Sequence, residues 1–68
     1  MDSNIFDRID IELRAINGVI SVGITDAADL VRVQVTASHT TPANRLKVRR
    51  IVRAHIRQPV VVETLLLL

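Results

Sequence analysis

The sequence predicts a single small α+β domain with five elements in the order α-β-β-α-β. Both helices are expected on one face of a three-stranded mixed sheet. The spacing of apolar residues changes along the chain from a helical period to alternation, then back to a helical period, and ends in a largely apolar strand. The chain has 68 residues, which predicts one domain over residues 1–68 and no second.

The first element is a predicted helix from about Asn4 to Asn17. Its apolar residues recur every three or four positions: Ile5, Ile9, Leu13 and Ile16, with Phe6 beside them. Two ion pairs are expected on the solvent side, at a spacing of four residues: Arg8 with Glu12, and Asp10 with Arg14. Ile11 lies opposite the apolar stripe and is therefore expected to be exposed. Asn17 and Gly18 form the stop signal.

Two alternating segments predict an antiparallel hairpin. In the first, Val19 to Thr25, the side chains expected to face the helices are Ile20, Val22 and Ile24. In the second, Leu30 to Ala37, they are Val31, Val33 and Val35. The short connection between the segments has aspartates at both ends, which favours a turn.

A second helix is predicted from Pro42 to Arg57, followed by a strand from Val60 to about Leu67. Thr41 is a typical N-cap residue, and a proline often occupies the first helical position. The apolar stripe consists of Val48, Ile51, Val52, His55 and Ile56. Because a helix connects the second and third strands, the third strand is expected to be parallel to the second.

This arrangement leaves one sheet face uncovered, and the third strand is apolar on both sides. With 49% hydrophobic residues and no cysteine, so small a chain is expected to gain stability by self-association. The contact is expected on the bare sheet face or at the edge of the third strand. Its expected residues are Leu30, Val61, Glu63, Leu65 and Leu67, with Ile11 in a second contact. Glu63 is expected to pair with Arg32. The alternative is that the C-terminal strand only completes the core.

Charge is divided unevenly along the chain. Residues 1–30 have a net charge of −4 and residues 31–68 a net charge of +6. The second predicted helix holds most of the basic residues of the chain. Those expected on the face opposite its apolar stripe are Lys47, Arg49, Arg50, Arg53 and Arg57. Three interpretations are open: binding of a nucleic acid or other polyanion, binding of an acidic protein or the acidic first helix of another copy, or a solvated surface.

Several function classes are disfavoured by the residues present. No cysteine or tyrosine is available, and Ser38 and His39 are adjacent, which is not the arrangement of a catalytic triad. No catalytic, metal or cofactor site is therefore expected. The only aromatic residue is Phe6, which argues against binding by base stacking. The longest largely apolar stretch, Val60 to Leu68, has nine residues and includes Glu63. A membrane span needs about 20, so a cytoplasmic protein is expected.

The segment IFDRIDIELRAINGVISV, followed by a valine strand and an amphipathic helix, resembles the C-terminal dimerisation domain of cation-efflux transporters. The segment VRVQVTASHTTPANRLKVRRIV, ending in a valine strand, resembles BON modules. No functional residue of either family is carried over, because their metal-binding residues and glycines have no counterparts here. The resemblance implies a non-enzymatic association domain. The sequence thus predicts a self-association or protein-interaction module, with a basic polyanion-binding protein as the alternative.

Overall fold

Two helices and three strands follow one another in the predicted order in the computed structural model, which describes residues 3–27 and 29–67. The elements are α1 (Ser3–Arg14), β1 (Val19–Asp26), β2 (Val31–Ala37), α2 (Pro42–His55) and β3 (Val60–Leu66). The predicted α+β class is confirmed, and each helix is shorter at its C-terminal end than the sequence suggests.

The first helix ends at Arg14 rather than at Asn17. Beyond it the chain tightens into a turn, in which the Ile16 N–H donates to the Leu13 carbonyl at 3.1 Å. Gly18 completes the turn with a φ of 97°, a left-handed conformation that glycine adopts at little cost. Its carbonyl accepts a hydrogen bond from the Ser38 N–H at 2.8 Å, which joins the start of β1 to the end of β2.

The sheet has the order β1-β2-β3, with β1 antiparallel and β3 parallel to the central strand. The prediction for the faces of β1 is correct from Ser21 onward and wrong at its start. A bulge between Val19 and Ser21 gives β1 one extra residue, Ile20. Val19 therefore lies opposite the buried Ala37 and packs against the core, while Ile20 is exposed. Such a bulge reverses the alternation locally.

The second helix begins where the sequence predicts. Thr41 is the N-cap, and its hydroxyl oxygen accepts a hydrogen bond from the Asn44 N–H at 3.1 Å. The helix ends at His55, and Ile56 has extended backbone angles. Ile56 is nevertheless buried, and its N–H still donates to the Val52 carbonyl at 2.8 Å, so the apolar stripe extends one residue past the helix.

Both helices pack on the same sheet face. The buried cluster combines residues of α1, β2 and α2: Ile9, Leu13, Ile16, Val31, Val33, Val35, Val48, Val52 and Ile56. Phe6 is half-buried at its margin. The opposite face of the sheet has no helix over it within the described residues, so its side chains are available for contacts beyond the domain.

Candidate functional site

The outward residues of the three strands form a grid that we call the open face. The strand registers place three of them in each row: Ser21, Thr36 and Leu65; Gly23, Gln34 and Glu63; Thr25, Arg32 and Val61. Polar residues and one glycine occupy β1 and β2, whereas β3 contributes two aliphatic residues. The open face is therefore polar on one side and apolar along β3.

The aliphatic residues of β3 flank one charged residue. Leu65 is 54% exposed and Val61 37% exposed. Between them, the Glu63 carboxylate accepts a hydrogen bond from the Gln34 side-chain amide at 3.2 Å. The expected partner Arg32 instead lies opposite Val61, and among the described residues it forms no ion pair with Glu63. The cross-strand neighbour of Arg32 is therefore an aliphatic residue rather than the expected carboxylate.

Other exposed aliphatic residues gather at one end of the sheet. Leu66 is the last residue of β3, and Leu67 follows it. Ile20 lies in the bulge of β1 at the same end of the sheet. Ile20 extends the apolar surface in a way that strict alternation does not predict. Leu30, the other predicted interface residue, is half-buried in the hairpin turn at the opposite end of the sheet.

The basic residues of α2 lie on two sides of that helix. One side forms a groove with β3, lined by Arg45, Leu46, Arg49, Arg53, Val60, Val61, Val62 and Thr64. We call its three basic residues, Arg45, Arg49 and Arg53, the arginine ridge. Lys47 and Arg50 face α1 instead, in a hollow with Glu12, Ile16, Asn17 and Ile51. Arg57 lies beyond the helix and is exposed.

Arg45 is a member of the ridge that the sequence prediction did not include. Its signal was present, because Arg45, Arg49 and Arg53 are four residues apart and such residues share a helix face. Within residues 3–27 and 29–67, Arg14 pairs with Asp10 at 2.9 Å, and the His55 imidazole lies 2.5 Å from the Glu12 carboxylate. The ridge thus has no carboxylate partner in the part of the chain that the structure describes.

The acidic and basic halves of the chain meet between the two helices. The predicted Asp10–Arg14 pair is present, but Glu12 turns to His55 of α2 rather than to Arg8. Beside this pair, Ile11 is 68% exposed, as expected, and borders a hollow with Arg8. The Glu12–His55 contact leaves the lysine and arginines of α2 without a carboxylate partner in the described ranges.

Ser38 and His39 lie next to each other in the loop between β2 and α2. The Ser38 hydroxyl lies 3.2 Å from the His39 Nδ1 and also donates to the Gly18 carbonyl. These contacts fasten the loop between β2 and α2 to the start of β1. No three metal-ligating side chains come together among the described residues.

Neither helix in that part of the chain has the length and apolar character needed to cross a bilayer. Comparison with family models, curated proteins and solved structures gives no match. The likeness to the two families of association domains thus consists of element order and apolar spacing alone.

Proposed function

We propose that the chain is a non-catalytic module that associates with itself through the open face, most simply as a twofold dimer. The observation that carries this proposal is the exposure of Val61 and Leu65 on a sheet face that no helix covers within the described residues. Core packing does not require these side chains, because both helices lie on the opposite face. Stable association usually buries about 800 Å² per partner.

Twofold symmetry also suits the charges of the open face. A twofold interface brings the same surface patch of two copies together, so the patch must be complementary to itself. The open face holds one basic and one acidic residue, Arg32 and Glu63, in neighbouring strands. Antiparallel apposition of two faces would let each Arg32 approach the Glu63 of the other copy, while the aliphatic residues of β3 are buried. Ile11, on the helix side, would support only a further contact between dimers.

The test is solution mass as a function of concentration. The wild-type chain is expected to exceed its monomer mass of 7.6 kDa, and Leu65→Asp to return it to that mass and lower its thermal stability, since association and folding are coupled. Leu46→Asp is the matched control, because Leu46 is 49% exposed but lies on the helix side. A wild-type chain that stays monomeric up to hundreds of micromolar rules the proposal out.

The alternative function is binding of a nucleic acid or another polyanion by the basic residues of α2. It is favoured by their exposure and by the absence of ion pairs to them among the described residues. Binding would follow the phosphate backbone rather than the bases, because Phe6, the only aromatic residue, is half-buried against the core.

Salt dependence tests this alternative. Phosphate binding predicts a log–log slope of affinity against salt near −0.9 for each duplex phosphate neutralised. Replacing Arg49, Arg50, Arg53 and Arg57 with glutamine is expected to abolish binding to duplex DNA while the thermal unfolding transition remains. Absence of binding at low salt rejects the polyanion function and leaves self-association unaffected.

A further inference from the structure

The outer edge of β3 has no strand paired with it among the described residues. The sheet order places β3 at an edge. The Pro59 carbonyl accepts from the Val31 N–H at 3.2 Å, and the Leu67 N–H donates to the Ala37 carbonyl at 2.9 Å. The odd-numbered residues of β3 therefore direct their backbone N–H and C=O groups toward β2. Because this direction alternates along a strand, the outward backbone groups belong to Val60, Val62, Thr64 and Leu66.

The arginine ridge runs along this edge. Arg45 lies near Val62 and Thr64, and Arg53 lies near Val60 and Val61, so α2 runs antiparallel to β3. Residues four apart in a helix repeat about every 6 Å, and alternate residues of a strand repeat roughly every 6.6 Å. A strand added beside β3 would therefore bring every second side chain next to one arginine of the ridge.

We propose that the edge of β3 and the arginine ridge bind an extended acidic peptide as a fourth strand of the sheet. Carboxylates at alternate positions would face the helix side and meet Arg45, Arg49 and Arg53. Aliphatic side chains between them would extend the open face beside Val61 and Leu65. The backbone of the peptide would pair with the outward groups of β3, which is the mode of recognition called β-augmentation.

Two other occupants fit this edge less well. Pairing of β3 with β3 of a second copy would bring two arginine ridges side by side, and like charges across such an interface oppose association. The ridge therefore protects an apolar edge strand from pairing with itself, as charged residues do at other sheet edges. A nucleic acid would satisfy the arginines but has no peptide groups to continue the ladder of hydrogen bonds.

The experiment measures binding of a fluorescent, capped heptapeptide in which glutamate and valine alternate. Replacing Arg45, Arg49 and Arg53 with glutamine is expected to weaken binding about tenfold. The matched control replaces Lys47, Arg50 and Arg57, which removes the same charge elsewhere, and is expected to change affinity less than about twofold. Equal losses in the two variants would overturn the proposal, because they would indicate attraction to net charge alone.

Modified peptides test the backbone contribution. In one peptide, N-methylation blocks the backbone N–H groups that would donate to β3. This peptide keeps its carboxylates but cannot form the backbone hydrogen bonds of an added strand, so it is expected not to bind. A peptide with its glutamates grouped at one end is expected to bind weakly. Equal affinity of the methylated peptide, or binding of duplex DNA but not of the alternating peptide, would refute strand addition.

Amide hydrogen exchange locates the peptide on the chain. Strand addition is expected to slow exchange at Val60, Val62, Thr64 and Leu66, whose N–H groups point outward, more than at Val61 and Glu63. Protection confined to α2 would contradict the proposal. This result does not depend on self-association, which is followed separately by the mass of the peptide-free chain.

Discussion

The two faces of the central strand differ sharply in burial. Val31, Val33 and Val35 are at most 1% exposed beneath the helices, whereas Arg32 and Gln34, between them in the same strand, are exposed. On the covered face, apolar residues are needed to complete a core. On the open face the apolar residues are confined to β3 and to the bulge, where folding of a single copy does not require them. They are therefore available for association.

Truncation of one leucine in the core and one on the open face is expected to give the largest difference in stability. Leu13→Ala removes a fully buried side chain from the core and is expected to lower the free energy of unfolding by about 3 kcal/mol. Leu65→Ala is expected to cost less than about 0.5 kcal/mol in dilute solution, as exposed substitutions do. Chemical denaturation measures both values.

Concentration sharpens the same test. If the open face is an interface, the loss of unfolding free energy caused by Leu65→Ala grows as the protein concentration rises. The loss caused by Leu13→Ala is already present at low concentration, because it arises within one copy. A Leu65→Ala cost that is independent of concentration would argue against association through this face.

Alanine substitutions at the two glycines, Gly18 and Gly23, are expected to change stability in opposite directions. A Cβ at Gly18 would lie 2.9 Å from the His39 carbonyl oxygen, and its φ of 97° is unfavourable for alanine. Gly18→Ala is therefore expected to destabilise the domain by about 2 kcal/mol. At Gly23, on the open face, an added Cβ would meet no neighbouring atom within 4 Å, so Gly23→Ala is expected to stabilise the domain by roughly 0.5 kcal/mol. Thermal unfolding of both variants measures the difference, and similar losses at the two positions would contradict it.

The N-cap of α2, a helix that covers the inner face, is expected to contribute less stability than the Leu13 side chain or Gly18. Thr41→Ala removes the oxygen that caps α2 and is expected to cost about 1 kcal/mol. Thr40→Ala is the control, because the Thr40 hydroxyl makes a long 3.5 Å contact with the Thr41 carbonyl and does not cap the helix. The difference between the two midpoints of denaturation measures the cap, and equal midpoints would show that capping contributes little here.

Local signals explain why much of this fold was predictable. The period of the apolar residues located every element, and Thr41 with Pro42 marked the start of α2. Helix ends were less accurate, because Arg14 and His55 end helices whose apolar stripes continue for one more buried residue, Ile16 and Ile56. Burial of those residues is compatible with several backbone conformations, so the pattern alone does not distinguish them.

The amino-acid sequence by itself determined the order of elements, the apolar face of each helix and the imbalance of charge between the two halves. These properties depend on residue type and on spacing within one element. The tertiary structure alone decided that Ile20 is exposed at a bulge, that Glu12 meets His55, and that the helix face shared by Arg45, Arg49 and Arg53 lies along the β3 edge. Each of these depends on register or on the distance between elements far apart in the chain, where backbone pairing and core packing act together and no local spacing records the result.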